Sequence, residues 1–166
     1  MTIKHQGDAQ HPLFHIVLVE PEIPGNTGSI GRTCLALGAH LHLIHPLGFD
    51  INEKAVRRAG LDYWQHIKLF EYSHFEEFLE KVNPSQKIFF SAKSYKEESQ
   101  VYYQAPYQEN CALIFGKEST GLGDDFLEKY KAQTYHLPMD RTHIRSLNLA
   151  SVVTTAGYEA FRHLQK

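Results

Sequence analysis

Short apolar runs alternate with amphipathic stretches along the whole chain. The run FHIVLVE at 14–20 reads as a buried strand, and residues 26–37 read as a helix opened by Asn26 and closed by Gly38. Further runs at 40–44, 66–70, 87–92, 111–115 and 134–137 have strand length. Between them the pattern predicts a helix over 53–61 and another ending at Val82. The second is opened by the capping-box pattern Ser73, His74, Phe75, Glu76 and stopped by Asn83 and Pro84. A last helix, from Asn148 to Leu164, sets Leu149, Val152, Val153, Ala156, Ala160, Phe161 and Leu164 on one stripe.

This alternation predicts an α/β fold, a parallel sheet with helices on both faces, whose ligands bind beyond the C-terminal strand ends. Three loops fall there: PEIPGNTGSIGR at 21–32, LIFGKESTGLG at 113–123, and Leu137 to Asn148. Residues 93–110 form the longest irregular stretch, a candidate loop beside an active site.

Length and charge narrow the picture. The chain's 166 residues fit a single domain over 13–166, with the polar segment 1–12 read as a flexible extension. No apolar stretch approaches the roughly 20 residues a membrane helix needs. Cys34 and Cys111 sit in apolar runs without C-x-x-C spacing, which favours buried thiols in a cytosolic protein. A net charge of −2 requires any nucleic acid to be held by a local basic patch. Arg32, Arg57, Arg58, Arg141 and Arg145, in or beside loops, could form one; Arg162 lies on the last helix.

Several motifs resemble well-known sites and fail in detail. The glycines at 25, 28 and 31 do not give G-x-G-x-x-G, and the second strand ends in His45 and Pro46 where a nicotinamide site needs an acid. Gly116, Lys117, Glu118, Ser119 could end a phosphate loop, but Cys111 stands where its first glycine belongs. His40 and His42 would share a strand face. Without a matching carboxylate or cysteine pair, solvated histidines are favoured over a metal site. Tyr102, Tyr103 and Tyr107 could stack on bases, or cover a neighbouring core. Ser146 and Asn148 could simply cap the last helix.

Taken together, Asn26, Gly28, Ile30 and Arg32 (N-x-G-x-I-x-R), Phe115 to Leu122 (F-G-x-E-x-x-G-L), and Leu137, Pro138, Met139 followed by Ser146 and Asn148 (S-x-N) resemble the three motifs of the SPOUT superfamily of RNA methyltransferases. Within it the chain is similar to the small tRNA ribose 2′-O-methyltransferases. The flanking words PEIP, HPLGF, RRAGLDYW and GYEAFR resemble the single-domain branch that modifies the anticodon wobble nucleotide. It departs where relatives usually carry proline for Gly25 and Lys117 and arginine for Thr120.

The resemblance implies a C-terminal deep trefoil knot, a homodimer, and S-adenosylmethionine as methyl donor with tRNA as substrate and no metal. It implies donor contacts from Phe90, Ser91, Ala92, Gly116, Glu118, Gly121, Leu137, Met139, Ser146 and Leu147. It makes Arg32 the catalytic arginine, with Asn26, Glu118, Ser146 and Asn148 positioning it and the ribose, and Tyr158 a candidate proton relay. Two other readings stay open at this point: a catalytically silent RNA-binding domain of the same fold, and a nicotinamide-dependent oxidoreductase.

Overall fold

The structure, a computed structural model, describes residues 11–165 apart from 53, 55, 57–61 and 94–99. Seven strands are described: β1 (Phe14–Val19), β2 (His40–Ile44), β3 (Leu69–Tyr72), β4 (Lys87–Phe90), β5 (Gln100–Val101), β6 (Cys111–Phe115) and β7 (Thr134–His136). They form one sheet in the order β3-β2-β1-β6-β4-β7-β5, and every pairing is parallel. Parallel strands cannot be joined by hairpins, so helical crossovers must cover the sheet.

Helices α1 (Pro24–Leu37) and α4 (Leu149–Leu164) cover one face; α2 (Phe75–Val82) and α3 (Asp124–Lys129) cover the other. Side chains alternate accordingly. On β1, Phe14, Ile16 and Leu18 join Ile30, Leu37, Val153 and Ala156 in one core, while Val17 and Val19 join Phe75, Phe78 and Tyr130 in the second. Burial of all six β1 side chains follows from its central place. Gly157 lets α4 lie against α1, since a Cβ there would stand 2.8 Å from Leu37 Cδ1, and Thr33 and Thr154 share a 3.0 Å hydroxyl hydrogen bond across the same contact.

Several expected boundaries move. Helix α1 begins at Pro24, two residues before Asn26, because proline suits the first helical turn. Residues 64–66 form a 3₁₀ turn, and β3 runs from Leu69, whose pairing with Leu41 sets its register. His74 caps α2, accepting from Glu77 N–H, while the Glu77 carboxylate accepts from Ser73 N–H. The capping arrangement therefore lies one residue later than the sequence pattern placed it. Most of the helix expected over 53–61 and part of the 93–110 stretch lie outside the described residues. The described part of that stretch holds β5 and a 3₁₀ turn at Tyr102–Gln104. Tyr107 is buried there and donates its hydroxyl to Tyr102 O at 2.6 Å, so it covers core rather than awaiting a base.

The histidines require a correction. His40 and His42 are buried with His15, where strand solvation was expected. The Phe70 ring packs against His40, and the Phe70, Tyr72 and Phe78 rings pack against His42, so this face of β2 is covered and not solvated. Both cysteines are free and buried, and burial pushes the Cys111 thiol up to about 11.

Candidate active site

The chain visits β1, β2 and β3 outward on one side, then returns to build β4 to β7 on the other side of β1. Strand order reverses between β1 and β6, the place where open parallel sheets leave a crevice. A cleft of about 950 Å³ lies over the ends of β1, β4, β6 and β7.

Its tightest part is a reciprocal clamp between two loops. The residue before helix α1 is Ile23, whose side chain cannot cap it. Glu118 supplies the cap from 95 positions away: its carboxylate accepts from Ile23 N–H at 3.0 Å and from Glu22 N–H at 2.8 Å. A carboxylate is well placed there, because orphan amides and the helix dipole both favour negative charge. Glu22 returns the contact, accepting from Ser119 N–H and from its hydroxyl, each at 2.9 Å. These two bonds hold the Glu22 carboxyl below its usual range. Lys117 and Glu20 add an ion pair at 2.9 Å.

Asn26 lies three residues beyond Ile23, in the first turn of α1. Its Nδ2 donates to Glu118 Oε1 at 3.3 Å, and its Oδ1 accepts from Asn148 Nδ2 at 3.1 Å. Asn148 in turn caps α4, its Oδ1 accepting from Ser151 N–H at 3.3 Å. Capping and site-building are thus done by opposite ends of one amide.

The other expected residues fall on the same cleft. Phe90, Ser91 and Ala92 follow β4, Gly116 and Gly121 belong to the loop after β6, and Leu137, Met139, Ser146 and Leu147 to the stretch before α4. Gly116 is needed for a reason the sequence did not reveal. A Cβ on it would stand 2.1 Å from Gly121 C and 2.2 Å from Leu122 N, so the space belongs to the chain's own backbone and not to a ligand. Gly121, by contrast, has φ +72° and open space beside it. Arg141 is a residue whose role was missed. Its guanidinium donates to Ala92 O at 2.8 Å and to Arg145 O at 3.2 Å, pinning the last loop to the end of β4. Arginine's several donors in one plane suit it to two carbonyls at once, a use that a basic-patch reading conceals.

Arg32 and Tyr158 are the exceptions, since neither lines the cleft of its own chain. Arg32 is exposed on α1 with its guanidinium 5.4 Å from the Tyr63 ring centre. Tyr158 is 53% exposed on α4.

A wholly parallel sheet with a cleft built at its switch point from the start of α1, the loops after β4 and β6 and the stretch before α4 defines an α/β ligand-binding domain. The chain belongs to the SpoU rRNA Methylase family, whose model matches residues 13–158. Over 153 residues it is 41% identical to the tRNA (cytidine(34)-2'-O)-methyltransferase of Aeromonas hydrophila, covering 92% of this chain and 95% of that one. A solved structure described as bearing on "the 2-OH methylation of C/U34 on tRNA" superposes with a TM-score of 0.82 at 42% identity, covering 93% and 97% of the two chains. The AdoMet-bound rRNA methyltransferase of Sinorhizobium meliloti gives a TM-score of 0.79 at 25% identity, over 94% of this chain and 58% of that one.

Proposed function

We propose that this protein transfers a methyl group from S-adenosylmethionine to the ribose 2′-hydroxyl of the wobble nucleotide of tRNA, a cytidine or uridine. The observation that carries this reading is the hydrogen-bonded series Glu118, Asn26, Asn148, one residue from each motif, joined in a single cleft. The nicotinamide reading has no acidic residue to hold a ribose after β2, and the family membership sets it aside.

The lining suits the donor. Phe90, Leu137, Met139 and Leu147 offer apolar walls to an adenine ring, Gly121 leaves backbone open to close approach, and Glu118 and Ser146 add polar groups. When bound, the donor supplies an electrophilic methyl on a sulfonium, chemistry that needs no metal. The chain's own residues then have two tasks, alignment of the ribose and acceptance or relay of its proton. A guanidinium stays protonated at neutral pH, so Arg32 orients the target phosphate and stabilises the developing alkoxide instead of acting as a simple base. Tyr158 is the candidate relay.

Because Arg32 and Tyr158 stand outside their own chain's cleft, the reading includes a homodimer in which Arg32 of the partner subunit completes each site. The half-exposed apolar side chains of Ile23 (49%), Ile144 (45%) and Tyr158 (53%) support such a covering. Among the described residues no helix is long and apolar enough to cross a membrane. The reading also includes a cytoplasmic location, which a tRNA substrate supports, and the deep knot that the sequence resemblance implies.

The test is incubation of purified protein with tRNA and labelled donor, followed by nucleoside mass spectrometry. The expected product is one ribose-methylated nucleotide at the wobble position. Methylation confined to a base, or to another tRNA position, would overturn the reading.

A further inference from the structure

Toward the opposite end of β1 from the cleft, three imidazoles converge. His40 and His42 alternate onto the same face of β2, and the parallel register sets His15 of β1 beside His40. Their candidate ligand nitrogens all lie within 4.8 Å of one another, and all three side chains are buried.

The hydrogen bonds around two of these rings have a definite direction. His15 Nε2 lies 2.8 Å from Asn110 Oδ1, whose only role toward it is to accept, so that nitrogen carries the proton. His15 Nδ1 therefore presents a lone pair, and it faces His42 Nε2 at 2.9 Å. The far nitrogen of His42, Nδ1, is 3.0 Å from the hydroxyl of Tyr72. His15 and His42 thus each turn one nitrogen toward the other and anchor the second on an outer polar group. Metal-binding histidines have this construction, in which an outer partner fixes the ring and the inner nitrogen ligates.

We infer that His15, His40 and His42 form a binding site for a borderline first-row transition ion of the Zn²⁺ class, separate from the methyl-transfer cleft. The ion takes the place of the single proton shared between His15 Nδ1 and His42 Nε2. That proton moves to His42 Nδ1, and Tyr72 changes from donor to acceptor. Both rings remain neutral and no proton leaves the protein. Burial keeps His15 and His42 in the neutral form that ligation needs. Imidazole nitrogens suit Zn²⁺, Co²⁺, Ni²⁺ and Cu²⁺ rather than the oxygen-seeking Mg²⁺ or Ca²⁺. Phe70, which is 41% exposed, lies 5.4 Å from the His40 ring and 5.3 Å from the His42 ring, so its displacement opens a path inward.

The site is tested on the full chain, stripped with a chelator and titrated with Zn²⁺ or Co²⁺ by calorimetry and visible absorption. One ion per chain is expected, with the absorption of a low-coordinate nitrogen-ligated Co²⁺ and a raised unfolding temperature with Zn²⁺. His40→Phe and His42→Gln should each weaken binding by at least about 100-fold, and Tyr72→Phe, which keeps the packing, by roughly 10-fold. Methylation should persist in the stripped wild type, because the ion sits away from the cleft. Absence of a stoichiometric ion in the folded wild type would overturn the proposal. Binding unchanged in His40→Phe would do the same by assigning the ion to surface histidines. If both histidine variants fail to fold, the Tyr72→Phe affinity decides: a value equal to wild type rejects the site.

Discussion

Asn148 Nδ2 donates to Asn26 Oδ1 across 3.1 Å, linking residues 122 positions apart. The orientation of both amides is forced. Asn148 Oδ1 is occupied by Ser151 N–H, and Glu118, a carboxylate, can only accept from Asn26 Nδ2. Alanine at both positions should therefore show coupling. A double-mutant cycle on kcat/KM is expected to give an interaction of about 0.5–3 kcal/mol, whereas strict additivity would show that the two amides act separately.

Gly116→Ala is expected to destabilise the fold by about 1–3 kcal/mol and to weaken donor binding as a consequence, because one methyl group already meets backbone at 2.1 Å. Gly121 has open space beside it, and substitution there acts through its positive φ alone. Urea melts of both alanine variants separate the two effects. Equal and small losses would show that the loop yields to accommodate a Cβ at 116.

Arg32→Ala should abolish methyl transfer under single-turnover conditions while leaving donor affinity near wild type, and Arg32→Lys should not rescue it, lacking the planar fork. Mixing Arg32→Ala subunits with Asn148→Ala subunits should restore activity, since one site in each mixed dimer then draws both groups from intact copies. No recovery after proven subunit exchange would place Arg32 in its own chain's cleft.

Thr27 Oγ1 is buried with no hydrogen-bond partner among the described residues. Its desolvation is uncompensated, so Thr27→Val, which keeps the shape, should stabilise the protein by about 1 kcal/mol without loss of turnover. Thermal unfolding measures this directly. A lower midpoint would mean that the hydroxyl finds a partner in solution.

The strands were legible because buried parallel strands leave continuous apolar runs, and FHIVLV and CALIF carry that mark plainly. The cleft residues were legible as motifs, but their physical roles were not. Glu118 was legible as a motif residue, but its capping of α1 was not, since nothing local to position 118 records an uncapped helix at position 24. Arg141 misled in the same way, its partners being carbonyls that every sequence has. The histidine cluster was half visible: alternation put His40 and His42 on one face, yet only strand pairing brings His15 and Asn110 to them. Helix α3, six residues long, is too short for periodicity to reveal.

The cap that Glu118 provides also bears on synthesis. While a ribosome is still adding residues before 111, β1 has only β2 beside it, and the Glu22 and Ile23 amides that open α1 have water in place of the Glu118 carboxylate. The emerging chain can collapse and form helices, but it cannot hold Asn26 in place until residues 111–118 have left the exit tunnel and Asn148 has followed. The nascent protein is thereby kept from engaging donor or tRNA in a partly built state, and the competent cleft arises late, after its two most distant contributors have met.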